Sequence, residues 1–407
     1  MIYKVGDIVN CLDYRRIPVS SKERENRKGI YPYYGAQGIV DYIDDYIFDG
    51  AFLLVAEDGE NLRSNNEPIA RIARGKYWVN NHAHILESNG KCDIRYLCYC
   101  LNTINIRGYI TGSAQPKLNQ DNLLSISINL PPLEKQVYVA DVLDVLDRKI
   151  SLNTRMNAEL EAMAKQLYDY WFVQFDFPDV NGKPYKSSGG KMVWNEKLKR
   201  EIPEGWDVKS LGDIISKIDS GKRPTGGIDK SLKTGIPSLG AECIDELGVF
   251  DFSSTPYISN QYRSKLTSGR IEDNDILIYK DGAYVGKTTL FRDQFPYEEA
   301  FVNEHVFLIR ANNIELEEYL LFTLKSETYF QIMQALGKAK AAQPGLNQQD
   351  LKQISVLIPD GIIALKYNAI VDNLFKSLFA NAKQIARLIN MRDELLPMLM
   401  NGQITIE

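Results

Sequence analysis

The 407-residue sequence predicts a mixed α/β (α+β) protein: two similar β-rich globular units, related by pseudo-two-fold symmetry and separated by two long antiparallel helices that pair as a coiled coil. Three observations support this. Short blocks from the first half recur in the same order in the second, each half closes on a stretch with heptad spacing, and a segment rich in Pro, Gly and Ser lies between them.

The first unit is expected over residues 1–131 and the second over 206–358. Val5-Gly6-Asp7-Ile8 returns as Leu211-Gly212-Asp213-Ile214 at an offset of 206, and Asp58-Gly59 and Val79-Asn80-Asn81-His82 return as Asp281-Gly282 and Val302-Asn303-Glu304-His305 at 223. Ala114 to Gln120 (AQPKLNQ) and Ala342 to Gln348 (AQPGLNQ), at 228, agree in six of seven positions. An offset that grows along the unit means insertions in loops within one shared frame. Phe52-Leu53-Leu54-Val55 and Ile276-Leu277-Ile278-Tyr279 are apolar, β-inclined runs leading into Asp-Gly turns, and are read as matching strands.

The first long helix is expected over 132–175. Val139, Leu143, Leu146, Ile150, Leu160, Ala164, Leu167 and Trp171 fall on alternating steps of four and three, with Asn153 and Asn157 in the intervening seam places. Residues 176–205 read as a linker or long surface connection. The second helix, 359–407, repeats the register through Tyr367, Val371, Leu374, Leu378, Asn381, Ile385, Leu388, Leu395 and Leu399, with Arg392 the one charged exception. A helix over 133–172 would be about 60 Å long at ~1.5 Å per residue. Two copies related by a dyad would bring their midpoints together, so Asn153 and Asn381 are expected to meet and set the register; the alternative is that both face solvent or a partner protein.

A net charge of −5 argues against a surface uniformly coated with positive charge, but not against local basic loops. Such loops are Arg15-Arg16, the run Lys22, Arg24, Arg27 and Lys28, then Lys222-Arg223, and Lys338 with Lys340. With no signal-like start and no run near the ~20 apolar residues of a membrane span, a cytoplasmic protein without membrane contact is expected. Five scattered cysteines read as buried thiols, and no metal site is expected: the three histidines offer at most His82-x-His84 with a distant carboxylate. Gly282 to Thr288 approaches a phosphate-binding loop but is one residue short and leads into a strand, so a β-turn carrying a DNA-facing Lys287 is the better reading. His82 and its repeat His305 suggest a shared structural or DNA-proximal role. No nucleophile elbow, metalloprotease or methyltransferase signature is present.

Several segments together resemble the DNA-specificity subunit of type I restriction-modification systems. Arg15-Arg16-Ile17-Pro18 through Tyr31-Pro32-Tyr33-Tyr34-Gly35-Ala36-Gln37-Gly38, Pro203-Glu204-Gly205-Trp206 with Leu211-Gly212-Asp213, and both Gln-Pro-x-Leu-Asn-Gln blocks look like parts of its target-recognition domains. Leu143 to Phe175 looks like its central helix, and Leu395-Leu396-Pro397-Met398-Leu399-Met400-Asn401-Gly402 like its C-terminal helix end. The resemblance spans essentially the whole chain; the second helix begins less regularly than the first.

The resemblance implies a non-catalytic subunit that reads a bipartite, asymmetric site in double-stranded DNA, one half per recognition domain, with the helices as a ruler. It implies two adenine-N6 methyltransferase subunits docked on the helical region, joined by restriction subunits with ATP-driven motors. S-adenosylmethionine, ATP and Mg would then belong to those partners, with none in this chain, and methylation would need base flipping by them. Lys and Arg position a protein on phosphates, while base edges are read by forked or polar side chains. On those grounds the DNA-binding candidates are Arg15, Arg16, Lys22, Tyr34, Gln37, Ser113, Gln115 and Lys117 in the first unit, and Lys222, Arg223, Thr225, Lys280, Lys287, Lys338, Lys340 and Gln343 in the second. The bland reading of each is an ordinary surface side chain. The alternative function is a tandem-domain scaffold that binds proteins rather than DNA. Tyr170-Trp171-Phe172 reads equally as a partner-facing patch or as core.

Overall fold

The apolar run Phe52–Val55 lies in the strand Phe48–Ala56, whose last four residues are buried, and this strand sits at the centre of a six-stranded sheet. The computed structural model describes residues 1–64, 67–112, 115–224, 227–229, 231–282, 284–338 and 345–403. The chain divides into two compact units, Met1–Lys149 with Leu388–Glu407, and Ile150–Arg387.

In the first unit the sheet order is Val9–Cys11, Ala83–Ser88, Phe48–Ala56, Ala70–Val79, Lys28–Gly35 and Gly38–Ile43. All neighbours are antiparallel except Lys28–Gly35 with Ala70–Val79, which run parallel through Tyr33↔Trp78 and Tyr34↔Val79. One core gathers Val5, Leu53, Val55, Leu97 and Leu118 with Val139, Ala140 and Leu143 of the first long helix and Leu399 of the second. In the second unit a four-stranded sheet runs Ile215–Ser220, Val306–Ala311, Ile276–Tyr279, Thr288–Leu290, beside a three-stranded sheet Tyr257–Ile258, Ile236–Leu239, Phe301–Val302. As expected, Ile276–Tyr279 is a strand with three buried residues.

The repeat has a physical explanation at each unit's base. Tyr3 pairs with Ile128, and Lys209 pairs with Val356, in matching two-stranded sheets. The Val5 and Leu211 amides then bond the Ile126 and Ile354 carbonyls at 2.9 and 2.8 Å. Asp7 and Asp213 accept from the backbone N–H three residues earlier. The glycine between is a close-approach site: a Cβ on Gly6 would stand 3.3 Å from Leu124, and one on Gly212 would stand 3.2 Å from Lys352.

The first long helix runs Leu133–Tyr168 and ends in a π-helical turn, Asp169–Val173; the second runs Gly361–Met400. Within each unit the two are antiparallel. Arg392 Nη1 meets Asp147 at 3.1 Å in the first unit; in the second, Asn153 Nδ2 donates to Gln384 Oε1 at 2.6 Å and the Tyr367 hydroxyl donates to the Ala164 carbonyl at 3.3 Å. Most heptad positions are buried or half-buried. The expected Asn153–Asn381 pairing is corrected here. Asn153 is only 1% exposed and its amide is taken by Gln384, which lies one helical turn beyond Asn381 and, being one methylene longer, reaches the seam; Asn381 stays half-buried.

The stretch 176–205 is more than a linker. It forms a hairpin, Met192–Asn195 with Arg200–Pro203, and Phe177 and Ile202 enter the second unit's core beside Trp206 because their apolar surface is better buried than left in a loop. Phe177 stacks between Tyr185 and Trp206. Trp171 and Phe172 are core, while Tyr170 is exposed. Cys92, Cys98 and Cys100 are buried thiols, while Cys11 and Cys243 are half-buried. No helix among the described residues is long and apolar enough to cross a membrane.

Candidate nucleic-acid interface

Blocks that are far apart in sequence meet at the same place in each unit. Leu118 buries its side chain and its N–H bonds the Glu57 carbonyl at 2.8 Å, while Asn119 caps the next helix through the Asn122 N–H. Leu346 likewise is buried, bonds the Lys280 carbonyl at 2.7 Å, and is followed by Asn347, which caps through the Asp350 N–H. The Leu-Asn pair of the strongest repeated block is thus an anchor, a core side chain followed by an N-cap. It carries the residue before it, Lys117 or Gly345, onto Asp58 or Asp281 through a β-bridge. Those aspartates hold the repeated histidines: Asp58 faces His82 Nδ1 at 2.6 Å, and Asp281 faces His305 Nδ1 at 3.0 Å. Asn80 and Asn303 accept from the histidine N–H at 2.8 Å in both units.

In the first unit, Arg16 is turned inward. Its guanidinium meets Glu57 at 2.7 Å and Asp13 at 3.2 Å, and reaches the carbonyls of Asn81 and Ala83. His84, 1% exposed, stands 2.5 Å from Asp13 through Nδ1 and 2.8 Å from the Leu118 carbonyl through Nε2. Burial alone would raise both carboxyls. For Asp13 it is outweighed by the His84 hydrogen bond and charge, then by the Ile85 N–H and Arg16; for Glu57 by hydrogen bonds from Arg16 and Lys117. Both stay below their ordinary values. Ligand atoms of Asp13, Glu57 and His84 lie within 4.8 Å of one another, the spacing of a metal trio, but Arg16 already compensates the carboxylates.

Around this network, Arg15 lies over the Phe48 ring at 4.7 Å and donates to the Ile47 carbonyl. Lys22 is exposed. Arg24 and Lys28 share Asp41, whose carboxyl is pulled down to about 2 by Lys28 first, then by the Tyr42 N–H and Arg24, and Arg27 pairs with Asp44, so these cations are engaged locally. Tyr34 is half-buried edge-on to Tyr77, with its hydroxyl pushed up by burial, and its carbonyl receives the Asn80 N–H at 3.0 Å. Gln37 is exposed in the turn joining Lys28–Gly35 to the edge strand Gly38–Ile43, and Gln115 is exposed beside Lys117, which pairs with Glu57 at 3.1 Å.

The second unit uses the same frame with different charges. Gly221 lies on the Val302 carbonyl so closely that a Cβ there would stand 1.6 Å from its oxygen, which delivers Lys222 and Arg223 to the histidine segment. Arg223 Nε meets Glu304 at 2.6 Å, and Nη2 lies 3.3 Å from His305 Nε2. Both Arg223 and His305 border a cavity of about 690 Å³ that also includes Asn303, Tyr257 and Lys233. Lys280 lies over the Phe307 ring at 4.9 Å and bonds Ser220 at 3.4 Å. Lys287 sits in the turn between Ile276–Tyr279 and Thr288–Leu290, paired with Asp245 at 3.3 Å, so the Gly-Lys-Thr stretch is a hairpin turn as expected. Lys222 and Lys338 are exposed. Ser113, Thr225, Lys340 and Gln343 lie outside the described residues.

Sequence reasoning missed Asp13, Glu57 and Glu304, the carboxylates that orient the two arginines. A comparison of Glu57 with its counterpart Lys280, 223 residues on, carried the signal.

The sequence model of the family described as type I restriction modification DNA specificity domain matches residues 1–162 and 203–389. The MjaIX type I restriction enzyme specificity subunit of Methanocaldococcus jannaschii is 26% identical over 420 residues, covering 95% of this chain and 90% of its own. The HindI specificity subunit of Haemophilus influenzae is 23% identical over 337 residues, 71% of each chain. The crystal structure of the S subunit of a type I restriction-modification system from M. genitalium shares the fold at a TM-score of 0.63 and 17% identity, covering 98% of this chain and 95% of that one.

Proposed function

Because this chain belongs to the type I restriction-modification DNA-specificity family, we propose that its two units each read one half of a bipartite, asymmetric site in double-stranded DNA and direct adenine-N6 methylation by partner subunits. The observation that supports this best is the repeated frame. Equivalent anchors present the Asp-His pair and a basic loop in each unit, yet the charges on that frame differ (Arg16 with Glu57 against Arg223 with Lys280), as two readers of different sequences require.

In this reading the chain itself is non-catalytic and holds no cofactor. Two methyltransferase subunits dock on the helical region and supply S-adenosylmethionine, and restriction subunits add ATP- and Mg-dependent translocation and cleavage. The two helices set the spacer between the half-sites. Exposed cations such as Lys22, Lys222 and Lys338 would meet phosphates, giving affinity that falls steeply with salt. A protein-binding scaffold would lack that salt dependence on duplex DNA.

The test is long-read sequencing for N6-methyladenine after co-expression with the cognate methyltransferase subunit. A two-part motif, one half changed by exchanging residues 1–131 and the other by exchanging 206–358, is expected. A soluble complex without sequence-specific methylation would refute the reading.

A further inference from the structure

The two units treat equivalent arginines in opposite ways. An irregularity between Ile215 and Lys217 adds one residue to the strand, so that Lys217 and Ile218 pair with Arg310 and Ile309 as Asn10 and Cys11 pair with Glu87 and Leu86, and Arg223 takes the place of Arg16. In the first, Glu57 and Asp13 draw Arg16 inward, leaving its side chain 17% exposed. In the second, Lys280 stands at the place of Glu57, Phe307 at that of His84, and Ser220, which pairs with Phe307 across the strands, at that of Asp13. The inward acceptor is gone, a cation replaces it, and Arg223 stays at the surface with its side chain 49% exposed.

Arg223 is nevertheless not a loose surface side chain. Glu304, which replaces the neutral Asn81 of the first unit, accepts from Nε, and His305, itself held by Asp281, faces Nη2. These contacts occupy the Nε edge of the guanidinium. In a planar guanidinium this leaves the end-on fork, Nη1 with the outer hydrogen of Nη2, on the side turned away from Glu304. A phosphate needs only a positive charge nearby, whereas a fork fixed in plane and direction matches two acceptors side by side, the O6 and N7 of guanine in the major groove.

We propose that Arg223 reads a guanine in the half-site of the second unit, with Glu304 and the Asp281–His305 pair as its positioning residues. The proposal rests on the reading of this chain as a DNA-specificity subunit. It also makes the first unit different in kind: Arg16 is structural there, so that half-site is read by other groups.

The experiment is the methylation map of cells carrying the full chain with its methyltransferase subunits, compared among wild type, Arg223→Lys, Arg223→Ala, Glu304→Gln and Glu304→Ala. For both Arg223 variants one guanine position in a single half of the motif is expected to become degenerate, with discrimination there reduced about ten- to a hundredfold, while the other half remains intact. That intact half reports in the same cells that the variant folds and assembles. Glu304→Gln keeps an acceptor for Nε and is expected to retain the motif, whereas Glu304→Ala relaxes the same guanine position.

An unchanged motif in both Arg223 variants would overturn the proposal. So would a uniform loss over all wild-type sites in Arg223→Ala that Arg223→Lys restores, since that is the behaviour of a phosphate contact. A wild-type map with no two-part motif would instead defeat the specificity-subunit reading itself, a distinct outcome.

Discussion

At the scale of single residues, charge placement decides what each group can do. Arg16 and Arg223 both follow a basic neighbour in the sequence, yet one is enclosed by two carboxylates and the other is presented at the surface. Arg16→Ala would strand Asp13 and Glu57 in a poorly solvated site and is expected to cost about 2–4 kcal/mol in denaturant unfolding. The pH dependence follows from the depressed carboxyls. Their contribution is present above the unfolded carboxylate range near 4 and is lost as pH falls through the lower folded values, so Asp13→Asn should flatten the acid limb of the stability curve. Glu317 has the opposite sign. Burial, then the charge of Glu318, pushes its carboxyl up to about 7, so its contribution is fully present below the ordinary value of 4.5 and is lost as pH rises through about 7. Glu317→Gln is therefore expected to raise stability above pH 7 by roughly 1 kcal/mol, after allowance for solvent screening of a half-buried group, and to do nothing at pH 4.

At the scale of elements, the heptads foretold the long helices and their apolar seams, because a 3.5-residue repeat leaves an apolar stripe little choice but to pair. The partner of Asn153 was not legible. Which amide crosses a seam depends on side-chain reach at one turn, and Gln384 wins over Asn381 by a methylene. The Asn153 Oδ1 is buried without a hydrogen bond among the described residues, so Asn153→Leu is expected to raise the thermal unfolding midpoint, by about 1–2 kcal/mol of stability, while weakening the definition of the register. Gly221→Ala is expected to do the reverse locally. Its methyl would collide with the Val302 carbonyl, displacing the Lys222-Arg223 loop, and circular dichroism should report destabilisation of about 2 kcal/mol or more.

At the scale of the whole molecule, the internal repeat made the two-unit organisation readable from residue identities alone, and with it the family. Repeated Val/Leu-Gly-Asp-Ile and Leu-Asn pairs must recur because the same close approach, buried leucine and N-cap are needed each time the frame is built. Exchange of residues 206–358 for those of a relative is expected to change one half of a methylated motif only, and duplex affinity of the assembled protein should fall as salt rises from 50 to 200 mM, by about a thousandfold or more if six or more phosphates are contacted. What the sequence by itself determined was the repeat, the seams and the loops that carry cations, since these follow from periodicity and local chemistry. Only the tertiary structure decided that Met192–Asn195 and Arg200–Pro203 pair as a hairpin, that Arg24, Arg27 and Lys28 are engaged by Asp41 and Asp44, and that Arg16 faces inward while Arg223 faces outward. Each of those outcomes turns on which carboxylate or apolar surface a distant segment brings within a few ångströms, and Coulomb and hydrophobic terms act over distance in space, not along the chain.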